Sequence, residues 1–167
     1  ARATFPDKPY ISLETPDVRR YAQEDPRGFL GEYAKGAIFD EFQRVPDLLS
    51  YIQGMVDEDP ECGRFILAGS QHFLMMRDVS QSLAGRTAIL TLLPLSLEEI
   101  RKEHAGQSIN SLLFRGFYPR LYAREMDPAE AHRNYLMTYV ERDVRNLLRV
   151  HDLQTFETFV RLCAGRI

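Results

Sequence analysis

The sequence predicts an α/β fold, with a parallel sheet in the first part of the chain and an all-helical region after it. In the first hundred residues, short apolar runs bounded by turn residues alternate with helical patterns, and this alternation is typical of parallel sheets. After Pro94 no further convincing strand occurs, and helical periodicity dominates. With 44% hydrophobic and 27% charged residues in a chain of 167, the composition is that of an ordinary globular protein.

Four apolar runs are predicted to be the strands of the sheet. They cover residues 10–13, 36–39, 64–68 and 88–93. Their short length and the turn residues at their ends favour strands over helices.

Helices are predicted between these strands. Thr15 supplies an N-cap and Pro16 a first helical position for a helix at 17–23, and Pro26 starts a second short helix. Pro46 opens a third helix, and a fourth, around residues 73–76, ends at Gly85. The third helix carries its apolar side chains on one face, which we expect to pack on the sheet; they are Leu48, Leu49, Ile52, Met55 and Val56.

The helical region begins with a capping box formed by Ser96 and Glu99. Asp127 and Pro128 start a long helix, and Asp152 caps a further one. We therefore predict three parts: a core at 1–95, a lid-like helical linker at 96–126 and the start of a helical C-terminal domain at 127–167.

Charge and cysteine content argue against several functional classes. The formal net charge is −3 and the pI about 5.8, so the excess of Lys and Arg that is typical of strong nucleic-acid binders is absent. Cys62 and Cys163 lack CxxC spacing, which leaves a disulfide framework and a zinc site without support. No apolar run approaches the roughly 20 residues that span a bilayer, and we expect a cytoplasmic protein.

Two adjacent carboxylates, Asp40 and Glu41, follow the second predicted strand. Because α/β proteins bind ligands beyond the carboxyl ends of parallel strands, these side chains are candidates for phosphate chemistry. Asp40 would hold Mg²⁺ through its water, and Glu41 would polarise a water that attacks a γ-phosphate. The alternative interpretation is that both acids only cap or solvate the turn after the strand.

The third predicted strand is followed by Gly69, Ser70 and Gln71, which places two polar side chains at the same edge of the sheet. Ser70 or Gln71 can contact a γ-phosphate or its water there, although a serine at a turn is also an ordinary helix N-cap. Arg86 is a candidate cation for phosphate charge, within its own chain or on a neighbouring subunit. The alternative interpretation is that Arg86 is a surface arginine at the start of a strand.

Five segments follow one another along the chain: YISLE with PDVR (10–19), IFDEFQRVP (38–46), GRFILAGS (63–70), SLAGR (82–86) and YVERDV (139–144). Taken in this order, they resemble the prokaryotic AAA+ superfamily of ATPases, whose core is a P-loop NTPase fold. The second segment is similar to the family's IDEIQ-type Walker B sequence, and the third and fourth resemble its sensor region. The last segment resembles the start of the uncharacterised C-terminal domain that follows this module.

The resemblance implies a role for each candidate residue. It assigns Asp40 to Mg²⁺, Glu41 to water activation and Ser70 to sensing of the γ-phosphate. Arg86 becomes an arginine-finger candidate, and Gln71 remains a candidate nucleotide contact. The implied ligands are ATP and Mg²⁺, and the implied activity is ATP hydrolysis.

The sequence also departs from the family. Phe42 replaces the usual aliphatic residue after the acidic pair, and residues 116–120 match only loosely a Gly-Gly-Tyr-Pro-like element. No GxxxxGK[ST] P-loop, which would cradle the phosphates, occurs in the 167 residues. In the family this loop would stand just upstream of Ala1, so we expect the chain to be a piece of a longer polypeptide. By itself, the 167-residue chain is expected to hydrolyse ATP poorly or not at all.

The resemblance also places the P-loop strand between the strand ending at Ala68 and the one beginning near Arg86. We expect either that the natural protein carries this strand or that the two flanking strands close together.

The function predicted for the parent protein is Mg²⁺-dependent ATP hydrolysis. A protein or nucleic-acid partner would be coupled to this activity through the C-terminal domain, and the parent protein could form oligomers. One alternative is a nonhydrolysing module that senses nucleotide or mediates assembly. A second alternative is a Mg²⁺-dependent nuclease built on Asp40, Glu41 and another carboxylate.

Overall fold

The computed structural model describes residues 1–69, 83–104, 106–124, 126–139 and 153–165. The chain divides into two compact units, Ala1–Leu90 and Thr91–Ile167. In its described residues the first unit holds a parallel sheet with helices, and the second holds helices alone. The α/β class with a helical second part is thereby confirmed.

Within the described ranges, three parallel strands form the sheet, in the order β1, β2, β3. Ser12 lies beside Asp40 in the first strand pair, and Phe39 lies beside Leu67 in the second. Since all three strands run in the same direction, their carboxyl ends meet at one border of the sheet, which we call the carboxyl edge. The strands are β1 (Tyr10–Ser12), β2 (Ala37–Asp40) and β3 (Phe65–Leu67).

Helices connect the strands of the first unit at the predicted places. α1 (Pro16–Glu24) and α2 (Pro26–Glu32) lie between β1 and β2, and each begins with proline, whose fixed φ suits the first helical turn. A 3₁₀ turn (Phe42–Arg44) and α3 (Leu48–Glu58) lie between β2 and β3. The predicted helix around residues 73–76 lies outside the described residues.

The core of this unit surrounds the central strand. The ring of Phe39 packs against Phe29 and Tyr33 with centroids 5.6 and 5.7 Å apart, and against Phe65 at 6.1 Å. Ala37, Ile38 and Phe39 are all buried, as expected for a parallel strand covered on both faces. The helices supply most of the remaining buried side chains, which include Ala22, Phe29, Leu30, Leu48, Leu49 and Ile52.

The prediction of a fourth strand at 88–93 is wrong. These residues have no regular secondary structure, and Leu90 and Leu92 are 93% and 99% exposed. The segment has the apolar composition of a strand, but a strand forms only where a neighbour completes its backbone hydrogen bonds. In the described sheet β3 pairs with β2 and not with this segment, so the flanking strands have not closed together.

The second unit confirms the helical interpretation of the later sequence. Ser96 and Glu99 form the predicted capping box: the amide of Ser96 donates to Oε2 of Glu99 at 2.7 Å, and the amide of Glu99 donates to Oγ of Ser96 at 3.2 Å. The hydrogen bond that the Ser96 amide donates to the Glu99 carboxylate is the main cause of a lowered pKa at Glu99. The described helices are α4 (Leu97–Glu103), α5 (Ile109–Arg115), α6 (Pro119–Ala123), α7 (Pro128–Tyr139) and α8 (Leu153–Ala164).

Asp127 caps α7 as predicted, because its Oδ1 accepts the amide of Glu130 at 2.8 Å. Asp152, the predicted cap of the last helix, lies outside the described residues. None of the helices in the described ranges has the length and apolar character needed to cross a bilayer.

A buried arginine ties the ends of two helices to the sheet. Arg64 precedes β3 and is only 8% exposed. Its Nε donates to the carbonyl of Ala34 after α2 at 2.8 Å, and a terminal nitrogen donates to the carbonyl of Met55 in α3 at 3.2 Å. The same nitrogen lies 3.4 Å from a carboxylate oxygen of Asp59. The charge of Arg64 is thus surrounded by oxygen acceptors from the segment after α2 and from the end of α3.

Substitution of this residue by an apolar one of similar length is expected to destabilise the first unit strongly. Arg64→Met removes charged hydrogen bonds from a buried side chain: the carbonyl of Ala34 loses its donor, and the carbonyl of Met55 keeps only the amide of Asp59. We expect a loss of about 3 kcal/mol in the free energy of unfolding. Chemical denaturation measures this loss. Arg20→Met is the matched control, because the Arg20–Asp17 pair is exposed and is worth no more than about 0.5 kcal/mol. Equal losses in the two variants would contradict the role of Arg64.

The backbone turns sharply where β2 ends. Glu41 has φ 53° and ψ 41°, a left-handed conformation that costs a residue other than glycine about 1–2 kcal/mol. The next residue holds the turn in place, because Phe42 is buried and its amide donates to the carbonyl of Ala68 at 3.0 Å. The conformation of Glu41 is therefore imposed by its neighbours.

Because of this strain, we expect the usual stability order of alanine and glycine variants to be reversed at position 41. Glu41→Gly is expected to be more stable than Glu41→Ala by about 1 kcal/mol, because glycine adopts positive φ without a Cβ clash. At the exposed helical position Gln23 in α1, the alanine variant should instead be the more stable by about 1 kcal/mol. Chemical denaturation of the four variants measures both differences. An alanine variant as stable as the glycine variant at position 41 would refute the strain.

Candidate functional site

The carboxyl edge is joined by backbone hydrogen bonds that place Asp40 and Glu41 in its middle. The amide of Leu13 donates to the carbonyl of Asp40 at 3.0 Å, which ties the end of β1 to the end of β2. The bond from Phe42 to Ala68 ties the turn after β2 to the end of β3. Both acids are half-buried. The structure thus brings the two predicted acids to the edge where parallel sheets bind ligands.

Asp40 has a specific partner on the neighbouring strand. The hydroxyl of Tyr10, the first residue of β1, donates to Oδ2 of Asp40. The guanidinium of Arg2 lies over the Tyr10 ring, 3.7 Å from its centroid. The hydrogen bond to Asp40 raises the pKa of Tyr10, so the hydroxyl keeps its proton and remains a donor at neutral pH. One oxygen of Asp40 is therefore engaged by Tyr10.

Glu41 has a different partner, which comes from the turn that follows it. The side-chain nitrogen of Gln43 donates to Oε2 of Glu41 at 2.6 Å. The side-chain oxygen of Gln43 is buried and has no hydrogen-bond partner among the described residues. A buried amide oxygen without a partner is rare and costly, so it marks a position where a water or a ligand donor would be stabilised.

The donor set at the edge fits Mg²⁺ brought by a phosphate. Mg²⁺ prefers oxygen ligands and commonly uses one or two carboxylates, with substrate phosphates and water completing its shell. Asp40 supplies such a carboxylate. Among the described residues, no group of three His, Cys, Asp or Glu side chains could hold a metal ion by itself.

Ser70 and Gln71 lie outside the described residues, and their predicted roles remain predictions. The structure does describe the chain just before them: the amide of Ala68 donates to the carbonyl of Phe39 at 2.9 Å. The end of β3 is therefore at the carboxyl edge, beside β2.

Arg86 lies away from the two acids. Its guanidinium makes two hydrogen bonds to the carboxylate of Asp57, one of them 3.2 Å long, and these bonds raise its pKa. Asp57 belongs to the last turn of α3. Because α3 starts beyond the carboxyl edge and returns to the point where parallel β3 begins, this pair lies near the opposite edge of the sheet. The structure does not bring Arg86 together with Asp40 and Glu41.

Sequence reasoning missed Tyr10 and Gln43. The signal for Tyr10 is a side chain with a polar end at the start of β1, on the same face as Ser12, which pairs with Asp40. The signal for Gln43 is an amide side chain two positions after Glu41, within reach of its carboxylate if the chain turns there. Neither signal can be interpreted until the strand register and the turn are known.

Comparison with known proteins finds two mycobacterial relatives. The chain is 33% identical, over 110 residues, to the uncharacterized protein Rv2008c of Mycobacterium tuberculosis and equally to the uncharacterized protein Mb2031c of Mycobacterium bovis. The matched region is 65% of this chain but 24% of each relative, so the chain spans about a quarter of the length of these relatives. No solved structure matches the chain.

Family comparison divides the chain into two regions. Residues 106–167 match a domain of unknown function, DUF8612. Residues 3–101 match an AAA domain, and they contain the whole sheet together with Asp40 and Glu41. Since this match covers more than half of the chain, the protein belongs to the AAA domain family of ATPase-related proteins, with an uncharacterised domain following the AAA region.

Proposed function

We propose that this chain is part of an ATP-binding AAA protein that hydrolyses ATP with Mg²⁺, and that Asp40 and Glu41 are its Walker B acids. The observation that carries the proposal is the position of both acids at the carboxyl end of the central strand, within the region that matches the AAA domain. Phosphate sites of α/β proteins lie at this edge.

The two acids have different neighbours and take different roles. Asp40, at the end of β2, binds the metal through its water. When bound, Mg²⁺ neutralises the charge that develops on the β- and γ-phosphate oxygens. Glu41 orients the attacking water and accepts its proton, and the amide of Gln43 holds the Glu41 carboxylate in place. The buried oxygen of Gln43 offers an acceptor for a water near Glu41.

Three further residues belong to the proposal. Ser70 senses the γ-phosphate and Gln71 contacts the nucleotide, since both follow β3, whose end lies at the carboxyl edge. Arg86 acts as an arginine finger on a neighbouring subunit, because its pair with Asp57 lies near the opposite edge from Asp40. Such a role requires an oligomer and release of Arg86 from Asp57.

The uncharacterised region at 106–167 is proposed to contact a protein or nucleic-acid partner whose state is coupled to ATP. A cytoplasmic location is part of the proposal, because Cys62 and Cys163 are free and exposed, as is usual in a reducing compartment. A Mg²⁺-dependent nuclease is less well supported, since the described residues lack the group of three carboxylates that the alternative requires.

The proposal predicts separate defects for the two acids in the natural polypeptide that contains this chain. Glu41→Gln should lower the kcat of ATP hydrolysis by about 10²–10⁴-fold while ATP binding persists, because the variant keeps the shape of the side chain and loses the base. Asp40→Asn should weaken the Mg²⁺ dependence of nucleotide binding. Phosphate release and the fluorescence of a labelled nucleotide measure the two effects.

Glu58→Gln is the control for the first variant, because Glu58 is an exposed glutamate at the end of α3. It should leave turnover unchanged. If Glu41→Gln also leaves turnover unchanged, Glu41 is not the base. If the unaltered protein binds nucleotide without hydrolysing it, the nonhydrolysing sensing module becomes the correct function.

A further inference from the structure

We propose that Tyr10 is a positioning residue for the metal site: its hydroxyl orients the Asp40 carboxylate through which nucleotide-bound Mg²⁺ is held. The inference rests on the proposed function, because it assigns a partner to the acid that would hold the metal. It goes further by naming a residue on a different strand, in a segment outside the acidic motif. Tyr10 acts through Asp40 and is not itself assigned a contact with nucleotide.

The strand register explains why Tyr10 can reach Asp40. Tyr10 pairs with Ile38, while Ser12 pairs with Asp40 two positions further along. Side chains two residues apart point to the same face of a sheet, so Tyr10 and Asp40 share a face and are separated by about 7 Å along the strand direction. A tyrosine side chain spans this distance, and its hydroxyl meets Oδ2 of Asp40.

The ring of Tyr10 has its own contact with a cationic side chain. Its base is fixed in β1, and the Arg2 guanidinium covers the ring at 3.7 Å from the centroid. A cation over an aromatic face is an attractive arrangement. Tyrosine has only two side-chain torsions to restrict, so little conformational entropy opposes the ordering of the pair.

A half-buried aspartate benefits from such a partner when it must hold a metal in one orientation. A carboxylate with one oxygen engaged by a donor cannot rotate freely, and the second oxygen is left for the metal-bound water. Hydrogen-bond partners of metal-binding side chains set their orientation, and their removal typically lowers metal affinity or activity 10–100-fold. The structure gives Tyr10 this relation to Asp40, and gives Glu41 a separate donor in Gln43.

The test uses Tyr10→Phe in the natural polypeptide, which removes the hydroxyl but keeps the ring beneath Arg2. Mn²⁺ is the probe, and its binding in the presence of ADP is followed by electron paramagnetic resonance. The expected result is an apparent Mn²⁺ dissociation constant at least about tenfold higher, with metal-free nucleotide binding unchanged. Tyr21→Phe is the matched control, because the Tyr21 hydroxyl donates to Glu32 at 2.8 Å in an exposed pair outside the site. It should leave Mn²⁺ affinity unchanged.

A double-mutant cycle with Asp40→Asn separates this inference from the proposed function. If Tyr10 acts through Asp40, Tyr10→Phe has no further effect on Mn²⁺ affinity once Asp40 is replaced. If Asp40→Asn weakens Mn²⁺ binding and Tyr10→Phe does not, the role of Tyr10 is refuted and the metal site stands. If Asp40→Asn itself has no effect, the proposed metal site fails. Additive effects of the two substitutions would mean that Tyr10 acts independently of Asp40, which overturns the inference.

A spectroscopic readout covers the case in which Tyr10→Phe does not fold. Carbon-13 labelling of tyrosine at Cζ reports on the phenol in the unaltered protein. The Tyr10 resonance should shift when Mg²⁺ and ADP bind, and the shift should be lost in Asp40→Asn. If no tyrosine Cζ chemical shift changes when Mg²⁺ and ADP bind, the inference is refuted.

Discussion

The register of β2 between its two parallel neighbours is the constraint on which the rest of the first unit depends. With Ser12 beside Asp40 and Phe39 beside Leu67, the Phe39 ring enters the core and Asp40 emerges at the carboxyl edge. A shift by one residue would exchange the two faces of the strand and carry the carboxylate toward the buried rings of Phe29 and Tyr33. Burying an unpaired charge there is strongly unfavourable. The packing that stabilises the sheet thus also places the acids.

The turn after β2 shows how this placement is obtained at some cost in stability. Glu41 adopts a left-handed conformation, while Phe42 beside it is buried and bonded to Ala68. Favourable burial on one side of the turn therefore sustains an unfavourable backbone on the other. Strained residues of this kind concentrate at functional sites, because surrounding structure must hold a reactive side chain where unconstrained backbone would not. Gln43 completes the arrangement with a donor for Glu41 and a buried oxygen that lacks a partner among the described residues.

The exposed segment at 88–93 illustrates a limit of local patterns. Its composition is that of a buried strand, as is that of β2, yet only β2 is hydrogen-bonded on both sides. Strand formation needs neighbours, and an apolar run cannot specify which neighbour is present. Helices differ in this respect, because their hydrogen bonds are internal; α1, α2 and the capping box of α4 therefore lie where proline and Ser96 predicted them.

The amino-acid sequence by itself determined the α/β class, the three described strands of the sheet, the starts of α1, α2, α4 and α7 and the adjacency of Asp40 and Glu41, because each depends on local spacing and side-chain type. The tertiary structure alone decided that Tyr10 reaches Asp40, that Gln43 holds Glu41, that Arg64 joins two helix ends and that Arg86 pairs with Asp57 far from the acids. Three of these contacts join residues that are 9 to 30 positions apart in the chain, and the fourth depends on a left-handed turn. No local pattern encodes the three long-range contacts, since each is created when strand register and helix packing bring distant backbone together, and the Gln43–Glu41 contact depends on the turn that the core holds in place.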